Sequence, residues 1–190
     1  MTLEEIAKKM CAKGTGILAA DESTGTMDKR LKSVNVECTE KNRLAFRQTL
    51  FSSEAMKNFI GGVILFDETI RQKTSLNMTI PELIQKNDAV PGIKVDKGAK
   101  LLAGSSGETI TEGLDGLRER LKEYYELGAR FTKWRAVYKI GEKYPSSQSI
   151  KSNAHALARY AAMVQEAKMV PIVEPEVLMD GSHNIDKCYQ

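Results

Sequence analysis

Hydrophobic positions follow two alternating patterns along the chain. Five short apolar runs, Gly16–Asp21, Ile60–Asp67, Gly92–Asp96, Phe131–Val137 and Met169–Glu176, are bounded by polar loops and have the length of strands. Between them lie stretches of helical period. In 113–127, Leu114, Leu117, Leu121, Tyr124 and Leu127 recur every three or four residues, and in 149–168, Ala154, Leu157, Ala158, Ala161 and Val164 are expected on one face. The opening segment predicts a helix over residues 2–13, begun by a capping box of Thr2 with Glu5 and ended by Gly14, with Leu3, Ile6, Ala7 and Met10 on one side. Strand alternating with helix implies parallel strands joined by crossovers in one α/β domain.

Two architectures suit such a pattern, an open doubly wound sheet and part of a (β/α)8 TIM barrel. Charges inside the strands separate them. Residues two apart on a strand share a face, so Lys133 and Arg135 point one way and Thr132 and Trp134 the other; Glu174 and Glu176 likewise point together. Asp21 and Lys94 also sit in or at the end of apolar runs. Ionisable groups near the C-terminal ends of several strands are the arrangement of a barrel active site. A doubly wound nucleotide fold would more often carry a GxGxxG turn, and none is present. The expectation is a TIM barrel with about its first five β/α units in residues 1–190. Five strands do not close a barrel, and the final residues give no stop signal, so the chain is expected to be the first part of a longer one.

Composition narrows the function classes. The net charge of +3 over 190 residues, without basic clusters, speaks against a nucleic-acid partner. Glu4, Glu5, Lys8 and Lys9 break up any apolar leader, and no apolar run approaches the roughly 20 residues of a membrane span. Cys11, Cys38 and Cys188 form no CxxC and are expected as free thiols in a reducing, cytoplasmic setting. His155 and His183, expected at the surface, have no spaced partner, so a zinc site is not expected.

The chemistry therefore rests on Lys94, Lys133 and Arg135 with Asp21, Glu174 and Glu176. A lysine held among other cations has a lowered pKa and attacks a ketone to form an imine. A neighbouring carboxylate moves the protons, and arginine grips phosphate. The loop Asp21–Thr26, followed by Lys29 and Arg30, offers hydroxyls and backbone N–H groups as a phosphate cradle. Gly104–Gly107 (GSSG) lacks the Lys-Ser/Thr of a P-loop and reads as a structural turn. Trp134 is expected to pack between strand and helices.

The strings LAADEST, GGVILFDET, GIKVDKG, GLDGLRERL, TKWR and PIVEPE, in this order and spacing, strongly resemble class I fructose-bisphosphate aldolase of glycolysis. The resemblance implies a TIM barrel, usually a homotetramer, that cleaves fructose 1,6-bisphosphate to dihydroxyacetone phosphate and glyceraldehyde 3-phosphate with neither metal nor cofactor. It implies Asp21 as the carboxylate near the C4 hydroxyl, and Lys94 and Lys133 as lysines that position substrate and stabilise charge. Arg135 would bind substrate, Glu174 would be the acid/base of imine formation, and Glu176 its neighbour in the proton network. Ser23, Thr26 and Arg30 would hold a phosphate, with Thr26 where serine is common. From the residues alone Lys94 or Lys133 would be the imine lysine; the resemblance places that lysine on the next strand, beyond Gln190. The alternative is a short, non-catalytic binding or scaffold chain of the same family; a lyase acting on another sugar phosphate fits less well.

Overall fold

The structure, a computed structural model, describes residues 1–190. Its strands are β1 (Gly16–Ala20), β2 (Ile60–Leu65), β3 (Val90–Lys94), β4 (Ala99–Leu101), β5 (Thr109–Thr111), β6 (Phe131–Tyr138) and β7 (Val170–Val177). Its helices are α1 (Leu3–Met10), α2 (Thr24–Lys32), α3 (Glu40–Phe51), α4 (Glu54–Phe59), α5 (Asp67–Ile70), α6 (Ile80–Lys86), α7 (Leu117–Glu126), α8 (Ser147–Glu166) and α9 (Ile185–Tyr189). Five strands form one parallel sheet in the order β1-β2-β3-β6-β7, the order in which the chain makes them. A doubly wound sheet reverses strand order at a switch point. This sheet never does, and it is half of a barrel wall. β4 and β5 pair antiparallel to each other, and Gly104–Gly107 lies in the connection between them, as a structural turn should.

Alternation along the strands divides the side chains into two layers. Val63 and Leu65 of β2, Ile93 of β3, and Trp134 and Ala136 of β6 face the helices and join Phe51, Ile84, Leu117, Leu121, Tyr160 and Val164 in the main core. Trp134 is fully buried and packs on Tyr160 with ring centroids 5.3 Å apart. Tyr160 also shares a 2.6 Å hydrogen bond with Thr132 and donates to the carbonyl of Ile172. The opposite face lines the inside of the half-barrel. Its lower part is a separate apolar cluster of Ile64, Val90 and Phe131, closed from below by Ile6 and Met10 of α1.

Three helical expectations change in detail. α1 opens on the Thr2–Glu5 capping box but stops at Met10, because Ala12 and Thr15 form a turn, with the Thr15 amide and hydroxyl both donating to the Ala12 carbonyl, that feeds β1. α7 begins only at Leu117, after Gly113 and Gly116 take positive φ. On α8 the buried face carries Asn153, Ala156, Leu157, Tyr160 and Val164, while Ala154 and Ala158 are exposed. Asn153 sets that rotation. Its amide donates to the Thr109 carbonyl and its oxygen accepts from the Thr111 amide, docking α8 on β5.

Gly92 is a point where the inner layer tolerates no side chain. A Cβ there would lie 2.3–2.4 Å from three atoms of the Phe131 ring. Gly92→Ala should therefore destabilise the purified protein by about 2 kcal/mol or more, the scale of core overpacking, read as a lowered urea midpoint at unchanged slope.

Candidate active site

The upper part of the inner layer is polar. Asp21 follows β1, Lys94 ends β3, and Lys133 and Arg135 alternate up β6, with Glu174 and Glu176 beside them on β7. All nine residues expected from the sequence line one cavity of about 490 Å³, at the C-terminal ends of the parallel strands. Lys133 lies at its centre, with Nζ 3.3 Å from Asp21 Oδ2 and 3.4 Å from Glu174 Oε2. The first contact shows how strongly the sheet curls. β6 stands three strand positions from β1, a separation of about 14 Å in a flat sheet. A lysine reaches a carboxylate across that span only when the wall bends around a common interior.

Lys94 and Lys133 are register partners on β3 and β6, so two like charges stand side by side. Each has its own compensation, which neighbouring like charges on a sheet require. Lys94 Nζ donates to Asp96 Oδ1 at 2.5 Å. Asp96 is a site residue that the sequence reading passed over. Its side chain is almost fully buried, it accepts from the Gly98 amide at 2.9 Å, and its second oxygen accepts from the Arg135 amide at 3.3 Å. It thus joins the two lysine-bearing strands. Arg135 donates to Glu176 and lies 4.0 Å from Glu174, and the bond to Glu176 raises its guanidinium pKa further. The three cations and three carboxylates expected together alternate in space. The ion-pair partners of Lys133 are carboxylates on two different strands, which fix the position of its Nζ.

The phosphate-cradle residues occupy the rim. Ser23 caps α2, its hydroxyl accepting from the Thr26 amide at 3.4 Å and lying 3.2 Å from the Thr26 hydroxyl. Arg30 is just over half exposed and bonds to Glu22, a second residue the sequence reading did not nominate. Behind the rim runs a ladder of alternating charge. Glu22 lies 3.8 Å from Arg47, which lies 4.0 Å from Glu68, which in turn pairs with Arg43 at 2.5 Å. His155 is exposed on α8, whereas His183, expected at the surface, is half-buried in the loop after β7 with Nδ1 enclosed, because that loop folds back beside Gly181.

The family model for class I fructose-bisphosphate aldolase matches residues 2–190. The chain belongs to this family. It is 57% identical over 188 residues to a probable class 1 fructose-bisphosphate aldolase of Xanthomonas axonopodis pv. citri, covering 99% of this chain and 56% of that protein. It is also 57% identical over 186 residues to the cytosolic fructose-bisphosphate aldolase 5 of Arabidopsis thaliana, covering 98% and 52%. Among solved structures, Plasmodium falciparum fructose-bisphosphate aldolase, in complex with TRAP and a small-molecule inhibitor, superposes with a TM-score of 0.95 at 46% identity, over 98% of this chain and 54% of that one. The chain spans about half the length of the relatives it matches. Its curled sheet is thus the five-strand half of a TIM-barrel aldolase fold.

The ladder behind the cavity gives an acid-stability prediction. Hydrogen bonds from Arg43 hold the Glu68 carboxyl below its usual range. A depressed folded pKa adds stability that is fully present above the unfolded value, about 4.3, and is lost as pH falls through the folded value. Glu68→Gln should lower stability at pH 7 and flatten its decline below about pH 4 in urea titrations. A variant with the same acid slope as the parent would remove Glu68 from that role.

Proposed function

We propose that this chain supplies the proton-transfer and phosphate-gripping half of an enzyme that reversibly cleaves fructose 1,6-bisphosphate to dihydroxyacetone phosphate and glyceraldehyde 3-phosphate through a lysine Schiff base. The observation that carries the reading is Lys133 held between the carboxylates of Asp21 and Glu174 at the mouth of the strands. Asp21 stands on one side of this lysine and takes the proton of the substrate C4 hydroxyl. The C3–C4 bond then breaks, and its electron pair passes to the protonated imine. Glu174, on the other side, gives the proton with which the C2 oxygen leaves as water during imine formation. Lys133 and Lys94 fix the oxygens whose charge changes along this path, as preorganised cations do in a water-poor site. Arg135 binds the substrate while Glu176 completes the proton network with Glu174.

Ser23, Thr26 and Arg30 take one phosphate, using two hydroxyls, the first amides of α2 and a guanidinium. The imine lysine belongs to the strand that follows β7 in the whole barrel, so neither Lys94 nor Lys133 forms the imine. The enzyme works without metal or cofactor, as a cytoplasmic homotetramer; two plant relatives carry cytosolic or cytoplasmic names.

Borohydride trapping with dihydroxyacetone phosphate, on the polypeptide at the length its cell makes, tests the reading by intact mass. One reduced adduct on a lysine outside residues 1–190 supports it. An adduct on Lys94 or Lys133 overturns the assignment of roles, and no adduct favours a binding chain of the same family. In the complete enzyme, Glu174→Gln should lower kcat by about 100-fold or more with KM within about threefold, because it removes proton transfer and leaves binding. Arg30→Ala should instead raise KM by roughly tenfold through loss of a charge-assisted phosphate contact, with steady-state kinetics as the measure.

A further inference from the structure

Arg47 of α3 is the most unusual charge in the molecule. It is fully buried, yet it lies outside the cavity and contacts none of the residues expected to touch substrate. One Nη donates to the Thr69 hydroxyl at 2.7 Å and the other to the backbone carbonyl of Glu22 at 2.5 Å, while the guanidinium stacks 5.8 Å from the Phe66 ring centroid. Its Nε has no partner. Opposite it, the Glu22 carboxylate is divided. Oε1 accepts from Arg30, and Oε2, also enclosed, has no hydrogen bond and sits 3.8 Å from the nearer Arg47 nitrogen. Glu22 Oε2 is thus an unspent buried acceptor 3.8 Å from an Arg47 Nη that has a second proton to give, and it demands a reason, since such atoms are otherwise nearly always satisfied.

The rim supplies that reason. Arg30 cannot give its guanidinium fully to a phosphate while it is bonded to Glu22. Releasing it would leave a nearly buried carboxylate with only the 3.8 Å approach of Arg47 as counter-charge, which is unfavourable unless that cation closes in. We propose that Arg47 is a positioning residue that holds Glu22 and accepts its carboxylate when Arg30 turns to a substrate phosphate. Arg47 fixes the backbone of Glu22 through its carbonyl, and so places the segment from Asp21 to Ser23. It also keeps a donor free for Oε2. Thr69 and Glu68, on the helical turn after β2, anchor the guanidinium from behind. The inference deepens the phosphate reading of Arg30 and rests on it.

The test is calorimetric binding of fructose 1,6-bisphosphate to the full-length protein and its variants. Arg47→Lys keeps a cation but loses the two-armed grip. It should raise Kd about tenfold, and in an Arg30→Ala background it should change Kd by less than twofold, because the path to the ligand is already cut. Thr69→Val, which loosens Arg47 without touching its charge, should raise Kd about threefold and show the same non-additivity, so the test survives if Arg47→Lys fails to fold. A residue that merely supports the fold would lower the melting temperature and weaken binding equally in both backgrounds. Additive changes in Kd would overturn the proposal while leaving the phosphate site standing. Absence of binding by the parent, or an unchanged Kd in Arg30→Ala, would overturn the phosphate reading and this inference with it.

Discussion

The Lys133 ammonium is the interaction on which the arrangement of the site turns. It sits on β6 and is held by one carboxylate at the end of β1 and another on β7, which are the two edge strands of the sheet. Without the curl it could not reach Asp21; without the carboxylates the curl would gather uncompensated cations in a low-dielectric mouth. Geometry and electrostatics therefore require each other. The same rule extends one strand further, where Lys94, set beside Lys133 by register, depends on Asp96.

What could be read from the chain was what alternation controls. Strand parity put Lys133 and Arg135 on one face and Trp134 on the other, and the structure has them so, with Trp134 sealed against Tyr160. Asp96 shares the parity of Lys94 two residues earlier and ends the predicted run Gly92–Asp96, so the same rule could have nominated it; the strand itself stops at Lys94. Glu22 was out of reach because it stands in a loop, where no period fixes direction. Helix α3 carried no clear signal since its buried positions are Arg47 and Phe51, and a buried arginine counts as polar in any hydrophobic pattern. The face of α8 was misjudged for a related reason. Alanine tolerates either side of a helix, whereas the decisive buried residue, Asn153, is one that composition assigns to water.

These misses share a physical cause. Sequence periodicity registers apolar burial, which is cheap and abundant, but it is blind to polar groups buried because a specific partner satisfies them. Asn153 is satisfied by the backbone of β5, Asp96 by Lys94 and two amides, and Arg47 in part by a hydroxyl and a carbonyl, with two carboxylates 3.8 and 4.0 Å away. Each joins elements distant in the chain. A partner that far away leaves no local pattern.

The outer layer also governs the chemistry of the inner one. Thr132 and Trp134 flank Lys133 in sequence and both meet Tyr160, whose hydroxyl reaches on to the Ile172 carbonyl of β7. One buried side chain of α8 thus fixes β6 on both sides of the lysine and ties it to the strand carrying Glu174. Carboxylate and lysine are held at salt-bridge distance by a contact on the opposite face of the sheet, where no substrate comes. Strand alternation makes this division possible: Lys94, Lys133 and Arg135 are each bracketed by two residues buried on the other face, so the precision of the polar face is set by the density of the apolar one.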